Sequence, residues 1–448
     1  AIKIKLLSKY CSPKNIVIKG SIKHIMQEDA NKNIIKFKKF NFLYTKNNYF
    51  SLLNYFYDNE DFYIKESYED DTTYKEYFFK TTVKKFRTSL DLMGNTLRKA
   101  QKEYDSNIEN IWDIDIPEYM WDNDDLLKKY LKNKYSFKTW KKYASKCFDK
   151  LITGEIEQYP YIKGIDIPKT KSQCEKSILD SIFDCNSESF LGLYYDTYDI
   201  MNTLRVVLNE VDDNLEIYYD VTDLIDSGYC SVEEFMNIDE REITKTIVLV
   251  EGTTDKEIIE FAFKHIYPHY SKFFYFMDFD NPKRPGSASE ITRIIKAFAN
   301  SKIDNKFIAL YDNDAAGKKE IFLLRENEVT FPENIKICTY PNIKFASQYP
   351  TMGVNRKIVN DDINGRAGSI EIYLPTRMLQ DNSGKLYYVT WKSLDEKTRE
   401  YQGEVSNKSE IFKHFLKYKH RVENNMEKFV VDEWTNMLKL IDSFVFDK

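Results

Sequence analysis

Acidic residues directly follow apolar, strand-like segments in the second half of the chain. Glu251 follows the run ITKTIVLV, and Asp255 lies four residues further on. Asp312 and Asp314 follow the run KFIALY. Carboxylates that meet at one place repel each other unless a cation neutralises them, and Mg²⁺ prefers such oxygen ligands. Two ions of this kind can activate a water and stabilise the leaving oxygen of a phosphodiester, so the pattern points to metal-dependent phosphodiester chemistry.

Four apolar runs alternate with three helix-like runs around these acids. Strands are predicted at 243–250, 273–279, 306–312 and 334–340, and helices at 254–266, 289–301 and 315–327. Strands and helices that alternate at this spacing form a right-handed, mostly parallel α/β sheet. Because ligands bind beyond the carboxyl ends of the strands in such sheets, the acids are expected to converge at one edge.

Each acidic motif taken alone has an ordinary explanation. The Glu-Gly turn after the first strand can be a plain helix cap, and the Asp-x-Asp pair can be an Asx-turn before the third helix. Asp278 and Asp280 end the second strand, and they are either site residues or solvated turn residues. Only the order of the motifs on strands of one predicted sheet favours a functional site.

The pair VEG-x-x-D and D-x-D-A-A-G resembles the Toprim domain of topoisomerases, primases, a recombination-repair protein and the overcoming-lysogenization-defect (OLD) nucleases. The resemblance implies a Rossmann-like fold with a mostly parallel four-stranded sheet. It also implies that Glu251 acts in acid–base or metal chemistry and that Asp312 and Asp314 bind Mg²⁺, for which Mn²⁺ can substitute. Asp255 matches an extra acid of the OLD-like branch, where a second ion is held.

Two later residues extend this resemblance. Ser369 is expected to cap a helix that carries Glu371 in its first turn. OLD-like nucleases have a late Glu that ligates the second ion, which implies this role for Glu371, with Asp361 and Asp362 as competitors. Lys408 precedes an amphipathic helix and loosely matches the late Lys that faces the developing phosphate charge.

A broader resemblance covers most of the chain from about residue 40 to 415. The segments at 44–58, 87–104, 267–280, 308–317 and 360–375 resemble bacterial proteins described as HEPN/Toprim-associated. Such proteins are generally thought to act in antiviral defence against phages. The chain departs from HEPN ribonucleases because no Arg is followed by His four to six residues later, and it has no G-x-x-x-x-G-K-[ST] ATPase motif.

These patterns predict four domains. An N-terminal α+β domain (1–110) contains strand-like runs at 2–7, 15–20 and 40–45, and from about residue 76 a helical period that includes the run at 83–104. A mainly helical, HEPN-like region (111–241) includes helix-like segments at 172–183 and 199–211. The Toprim core (242–345) is followed by a C-terminal Toprim extension (346–448).

Composition narrows the function only slightly. The net charge of −5 neither supports nor excludes a nucleic-acid substrate, since it says nothing about a local basic surface. Six scattered cysteines and five histidines give no zinc-binding pattern. The absence of a signal-like or membrane-spanning apolar run predicts a soluble, cytoplasmic protein with reduced thiols that does not contact a membrane.

The sequence therefore predicts a Mg²⁺- or Mn²⁺-dependent nuclease that acts on DNA or RNA. The alternatives are a non-catalytic Toprim sensor of nucleic acid or nucleotide, and a strand-passing or primase activity. Basic residues near the predicted edge either grip phosphates or form a solvated helix face: Lys283, Arg284, Arg293, Lys296, Lys318 and Lys319. A homodimer is expected, and a separate ATPase or sensor protein is a candidate partner.

Overall fold

A computed structural model describes most of residues 55–107, 200–226 and 245–446, with short segments elsewhere. The chain divides into two compact units, an N-terminal unit (Ala1–Ile243) and a C-terminal unit (Thr244–Lys448). The predicted strand at 2–7 and the predicted helix at 172–183 lie outside the described residues. Among the described residues, no helix is both long enough and apolar enough to cross a bilayer.

The N-terminal unit contains a mixed four-stranded sheet. Its strands are β1 (Asn15–Lys19), β2 (Phe62–Glu69), β3 (Thr72–Thr82) and β4 (Glu216–Asp220), in the order β1-β4-β3-β2. β1 and β4 are parallel, and the other pairs are antiparallel. Two short hairpins precede β2 and pair Lys32–Asn33 with Thr45–Lys46 and Lys36–Phe37 with Phe40–Asn41.

Two strands of this sheet correct the sequence prediction. The helical pattern was expected from about residue 76, but β3 continues to Thr82, where aromatic residues and threonines favour a half-buried pleated surface. β4 lies inside the region that was expected to be mainly helical. It is only five residues long, and its partner strand β3 is more than 130 residues earlier in the chain, so short-range periodicity could not reveal it.

The helical prediction at 83–104 is confirmed, but the run is divided. Helix α1 (Val83–Met93) ends at Gly94, whose φ of 97° is left-handed, and α2 (Leu97–Asn107) follows. The later helices of the unit are α3 (Ile200–Val207), continued by a 3₁₀ turn at Leu208–Glu210, and α4 (Thr222–Asp226). Arg205 on α3 donates to Asp91 on α1 at 2.6 Å, which ties distant helices together.

The C-terminal unit begins with the predicted α/β arrangement. Its strands are β5 (Thr246–Leu249), β6 (Phe274–Met277), β7 (Phe307–Tyr311) and β9 (Ile335–Thr339). They form a fully parallel sheet in the order β6-β5-β7-β9. The connecting helices are α5 (Thr253–Ile266), α6 (Pro268–Ser271), α7 (Ala288–Asn300) and α8 (Ala315–Glu326). The predicted four-stranded parallel α/β sheet is confirmed.

Apolar side chains cover both faces of this sheet. Every residue of β7 is buried, as expected of a central parallel strand. One face packs against α7 and α8 through Ile291, Ile295 and Leu324. Each such side chain stabilises the fold by about 1.5–3 kcal/mol when it is fully buried. The sheet is therefore a rigid platform for the residues at its ends.

The rest of the unit builds a second four-stranded sheet that the sequence did not predict. Its strands are β10 (Tyr349–Met352), β11 (Ile358–Asp361), β13 (Val389–Leu394) and β14 (Tyr401–Val405), in the order β11-β10-β13-β14. A separate short pair joins β8 (Asn313–Asp314) to β12 (Ala367–Gly368). Helices α9 (Lys408–Glu423) and α10 (Thr435–Val445) end the unit, and 3₁₀ turns of this unit lie at Lys344–Gln348, Ile370–Tyr373, Thr376–Leu379 and Val431–Trp434. A further 3₁₀ turn at Asn59–Asp61 belongs to the N-terminal unit.

Replacing Gly317 by alanine is expected to destabilise the C-terminal unit by about 1–2 kcal/mol. Alanine is normally favoured over glycine in a helix by about 1 kcal/mol. Here the added methyl would overlap the backbone oxygen of Asp312 and lie 3.3 Å from the Cβ of Tyr311. Overpacking of this kind costs about 1–3 kcal/mol, so the clash should outweigh the propensity gain. Amide hydrogen exchange of the β7 peptide measures the change.

Gly384→Ala is the matched control. Gly384 has a φ of +81° but open space around it, so its substitution strains only a turn. Exchange in β7 should stay as in the unchanged protein. Equally slow exchange in Gly317→Ala would contradict the close helix–strand approach.

Candidate active site

The parallel register brings the first two acidic motifs together. In the ladder between β5 and β7, Ala309 lies opposite Leu249, so the strands end side by side. Glu251 follows β5 after one residue, and Asp312 follows β7 directly. The backbone N–H of Asp312 donates to Oε1 of Glu251 at 3.1 Å. The predicted convergence at the carboxyl edge is thus present as a direct contact.

Asp255 lies one helical turn after Glu251, in the first turn of α5, and it is buried. The hydroxyl of Tyr340 donates to Oδ1 of Asp255 at 2.7 Å. Tyr340 directly follows β9, and its backbone N–H donates to the carbonyl of Tyr311 at 2.9 Å. The next strand of the sheet therefore fixes the orientation of this carboxylate.

Asp314 is held at both of its oxygens. The backbone N–H of Gly317 donates to Oδ1 at 2.8 Å, which is the Asx-type cap of α8 that the motif allowed. The side-chain amide of Gln402 donates to Oδ2 at 2.7 Å. Asp314 also pairs in the β8–β12 ladder with Ala367. The residue is both a structural cap and part of the acidic edge.

Glu371 is nearly inaccessible, with 4% of its surface exposed. It lies in the 3₁₀ turn at Ile370–Tyr373, where an α-helix was expected, and Ser369 makes no side-chain cap to this turn. Instead, the Ser369 hydroxyl donates to Oε2 of Glu371 at 2.6 Å. The ammonium of Lys408, the first residue of α9, lies 3.3 Å from the same oxygen.

These groups share one electrostatic environment. Burial raises the pKa of Glu251 to about 7, and the negative charges of Asp314 and Asp255 act in the same direction. Burial also raises the pKa of Asp255 to about 6, with Glu371 adding to the shift and the Tyr340 hydrogen bond opposing it. The pKa of Asp312 lies well above its usual range for the same reasons. The site therefore holds more negative charge than it can accommodate near neutral pH.

Lys408 provides the opposing charge. Burial acts to lower its pKa, but the neighbouring Glu371, Asp312 and Asp255 outweigh it, so the net shift is upward. The ammonium is thus held in its charged form next to the acids. This single cation lies among five carboxyl groups, three of which have raised pKa values.

The Oδ1 atom of Asp312 is the observation that favours a metal ion. It is buried, and no hydrogen-bond partner lies near it in the described structure. A buried carboxylate oxygen without a donor is costly, and a proton or a cation is needed to satisfy it. Oxygen donors alone suit Mg²⁺ or Mn²⁺. Among the described residues, no three carboxylates of this edge bring oxygens within 4.8 Å of one another.

The other predicted residues have partners of their own, lie on α7 or lie outside the described residues. Asp361 pairs with Arg366 at 2.9 Å and exposed Asp362 accepts from Asn364, whereas Glu371 is the late acid that pairs with Lys408. Lys318 and Lys319 already pair with carboxylates, those of Glu400 at 2.7 Å and Asp395 at 3.0 Å. Arg293 is exposed on α7 and pairs with Glu290, and Lys296 lies on the same helix. The predicted residues that lie outside the described part of the chain are Asp278, Asp280, Lys283 and Arg284.

Sequence reasoning missed three residues that orient the acids. Tyr340 could have been found, since it ends the fourth predicted strand at the edge where the acids end theirs. Ser369 was noticed, but as a helix cap. Gln402 gave no local signal, because its contact to Asp314 spans 88 residues of sequence.

Residues 34–242 match the family model of HEPN/Toprim N-terminal domain 1. The match supports a HEPN/Toprim-associated protein, and a domain of this family is compatible with a nuclease-related function. It ends next to the division between the two compact units, so the acidic site lies beyond it, in the C-terminal unit. No curated protein and no solved structure matches the chain.

Without divalent metal, the free energy of unfolding is expected to fall as pH rises from about 5 to about 8. An unfolded Glu251 releases its proton near its ordinary pKa of 4.5, whereas the folded protein keeps it until about pH 7. Between these values the unfolded state binds fewer protons, so raising the pH favours unfolding. Glu251 alone corresponds to on the order of 2–3 kcal/mol. Urea unfolding in EDTA at several pH values measures the slope.

Glu251→Gln should flatten this dependence, because the amide does not titrate. Glu396→Gln, at an exposed position, is the control and should leave the slope unchanged. An identical slope in Glu251→Gln and the unchanged protein would show that Glu251 does not keep a proton at neutral pH in the folded protein.

Proposed function

We propose that the C-terminal unit is a Toprim-type nuclease domain that hydrolyses phosphodiester bonds of DNA or RNA with Mg²⁺ or Mn²⁺. The observation that carries the proposal is the unpartnered, buried oxygen of Asp312 among carboxyl groups with raised pKa values. The HEPN/Toprim match over the preceding residues supports the same class of protein. A buried carboxylate oxygen without a donor needs a proton or a cation, and the neighbouring carboxyl groups are further oxygen ligands for that cation.

Five acids would hold the metal: Glu251, Asp255, Asp312, Asp314 and Glu371. Bound there, Mg²⁺ supplies Lewis-acid stabilisation of phosphate charge and lowers the pKa of water. Tyr340 and Ser369 orient the outer acids by donating to Asp255 and Glu371. The chain thus provides both the ligands and the donors that fix them.

Glu251 is suited to proton transfer. Its Oε1 accepts from the backbone N–H of Asp312, which leaves Oε2 to take a proton. Lys408, charged and partly exposed, is the group that would face the negative charge developing on phosphate.

Substrate binding and biological role extend the proposal. Lys318 and Lys319 follow Asp314 on α8, and Arg293 is exposed on α7, so with Lys283 and Arg284 they are the candidates for phosphate contacts. Phosphates would have to replace Glu400 and Asp395 as partners of the two lysines. We place the activity in antiviral defence in the bacterial cytoplasm, with a homodimer and a separate ATPase or sensor partner as the expected assembly.

Asp312→Asn is expected to abolish metal-dependent cleavage. The amide keeps the size of the side chain but removes the charge that the cation needs, so the rate should fall by about 100-fold or more. The measurement is cleavage of plasmid, linear duplex, single-stranded DNA and total RNA by purified protein with Mg²⁺, Mn²⁺ or EDTA. Asp432→Asn, at an exposed position, is the control and should cut normally.

The outcomes separate the candidate functions. Metal-dependent cutting that is lost only in Asp312→Asn supports the nuclease and names its substrate class. Metal-assisted binding without cutting on any substrate would favour the sensor, or a nuclease that waits for its partner. A covalent protein–DNA adduct after denaturant quenching would instead favour strand passage.

Lys408→Met should lower kcat by about 100-fold without weakening metal binding. Removing a cation from among the acids eliminates a competitor of the metal, so Mn²⁺ affinity should stay equal or increase. Lys413→Met, about one turn further along α9, is the control. A parallel loss of kcat and Mn²⁺ affinity would mean that Lys408 supports the structure of the site rather than the reaction.

A further inference from the structure

The side chain of Gln402 links two parts of the acidic motif. Its Nε2 donates to Oδ2 of Asp314 at 2.7 Å, and its Oε1 accepts from the backbone N–H of Ala316 at 3.0 Å. The two contacts fix which end of the amide is the donor, since a carboxylate accepts and a backbone N–H donates. The same amide therefore closes the turn that carries Asp314 into α8.

With the contact from Gln402, both oxygens of the Asp314 carboxylate accept a hydrogen bond. Gly317 already donates to Oδ1, so one oxygen is held by the helix and the other by Gln402. Rotation about the terminal bond would break both hydrogen bonds. Each carboxylate oxygen still keeps lone pairs for a further ligand.

Gln402 lies in this position because the backbone of the next residue, Gly403, packs closely against neighbouring strands. The N–H of Gly403 donates to the carbonyl of Arg366 at 2.8 Å. A Cβ at Gly403 would lie 2.7 Å from the Cβ of Ala367 and 2.8 Å from Cγ1 of Val389, so only glycine fits. Ala367 belongs to β12, which pairs with Asp314, and β14 is thereby held against the acidic edge.

We propose that Gln402 is a positioning residue that sets the orientation of Asp314 for the divalent cation. The inference rests on the proposed function, because it concerns the same site. It assigns a role to a neutral side chain that neither the acidic motifs nor the family match identifies. Gln402 acts through Asp314 and does not itself contact the reacting atoms.

Gln402→Met tests the role with little change in side-chain size. The thioether can neither donate to Asp314 nor accept well from Ala316, so the carboxylate is released. Mn²⁺ binding to the full chain, followed by the electron paramagnetic resonance signal of free Mn²⁺, should weaken about tenfold. In cleavage assays the Mg²⁺ concentration for half-maximal rate should rise by a similar factor. The KM for nucleic acid should stay within about twofold, since no substrate contact is removed.

Two further variants keep the result interpretable. Gln380→Met changes another half-buried glutamine of the same unit and should bind Mn²⁺ as the unchanged protein does. Gln402→Asn keeps the amide but is one methylene shorter, so it cannot span both contacts and should also weaken Mn²⁺ binding. Circular dichroism identifies any variant that fails to fold, and Gln402→Asn decides the question if Gln402→Met is such a case.

The outcomes distinguish the two proposals. If the unchanged protein binds Mn²⁺ and the folded Gln402 variants bind it equally tightly, the positioning role is overturned while the metal site stands. If the unchanged protein binds no Mn²⁺, the proposed function is overturned and the role of Gln402 with it. Weaker binding in both variants, with Gln380→Met unaffected, supports the inference.

Discussion

The hydrogen bond from the Asp312 backbone to Glu251 joins the ends of two adjacent parallel strands. It exists because the β5–β7 register aligns these ends, and that register is fixed by the buried residues of the central strands. The same alignment forces like charges together in a poorly solvated place, which raises their pKa values. Packing of the sheet therefore keeps repelling carboxyl groups close together, and other residues of the C-terminal unit reduce this repulsion.

The groups that stabilise these carboxylates come from elements that follow the parallel sheet in the chain. Ser369 and Lys408 act on Glu371, and Gln402 acts on Asp314. Strand β14 carries Gln402 near its start, and Lys408 follows shortly after its end, so one segment supplies a donor to Asp314 and a cation to Glu371. Each of these groups supplies a donor or a positive charge, which is what crowded carboxylates require.

Much of the C-terminal unit could be predicted because its signals are local. Apolar β-branched runs alternate with amphipathic runs between residues 243 and 345, and each matches a strand or helix to within a few residues. Glu251, Asp255, Asp312 and Asp314 follow from the rule that strand ends of a parallel sheet meet. The second sheet was missed because its strands contain no continuous buried apolar run, and β11 in particular has three exposed residues in four.

What sequence could not supply were contacts between distant segments. The partners of Lys318 and Lys319 lie about 80 residues away in the β13–β14 connection, so both lysines looked available for phosphate. Strand β4 could be recognised only together with β3, its partner strand much earlier in the chain. Likewise, the role of Gln402 could be recognised only from its contact with Asp314. Periodicity describes what a segment does within itself, and these features depend on which segments meet.

The short β8–β12 pair has a consequence for how this unit can be inherited. It joins the residues after Tyr311, the end of β7, to a segment more than 50 residues later. The two backbones approach closely at Gly368, since any Cβ there would lie 2.6 Å from the carbonyl oxygen of Asn313. The parallel sheet and the later segments are thus paired through their backbones at the acidic edge itself. Recombination that exchanged one part without the other would separate ligands from the groups that orient them. The stretch from Thr244 onward is therefore one structural unit whose acids depend on groups from both of its parts.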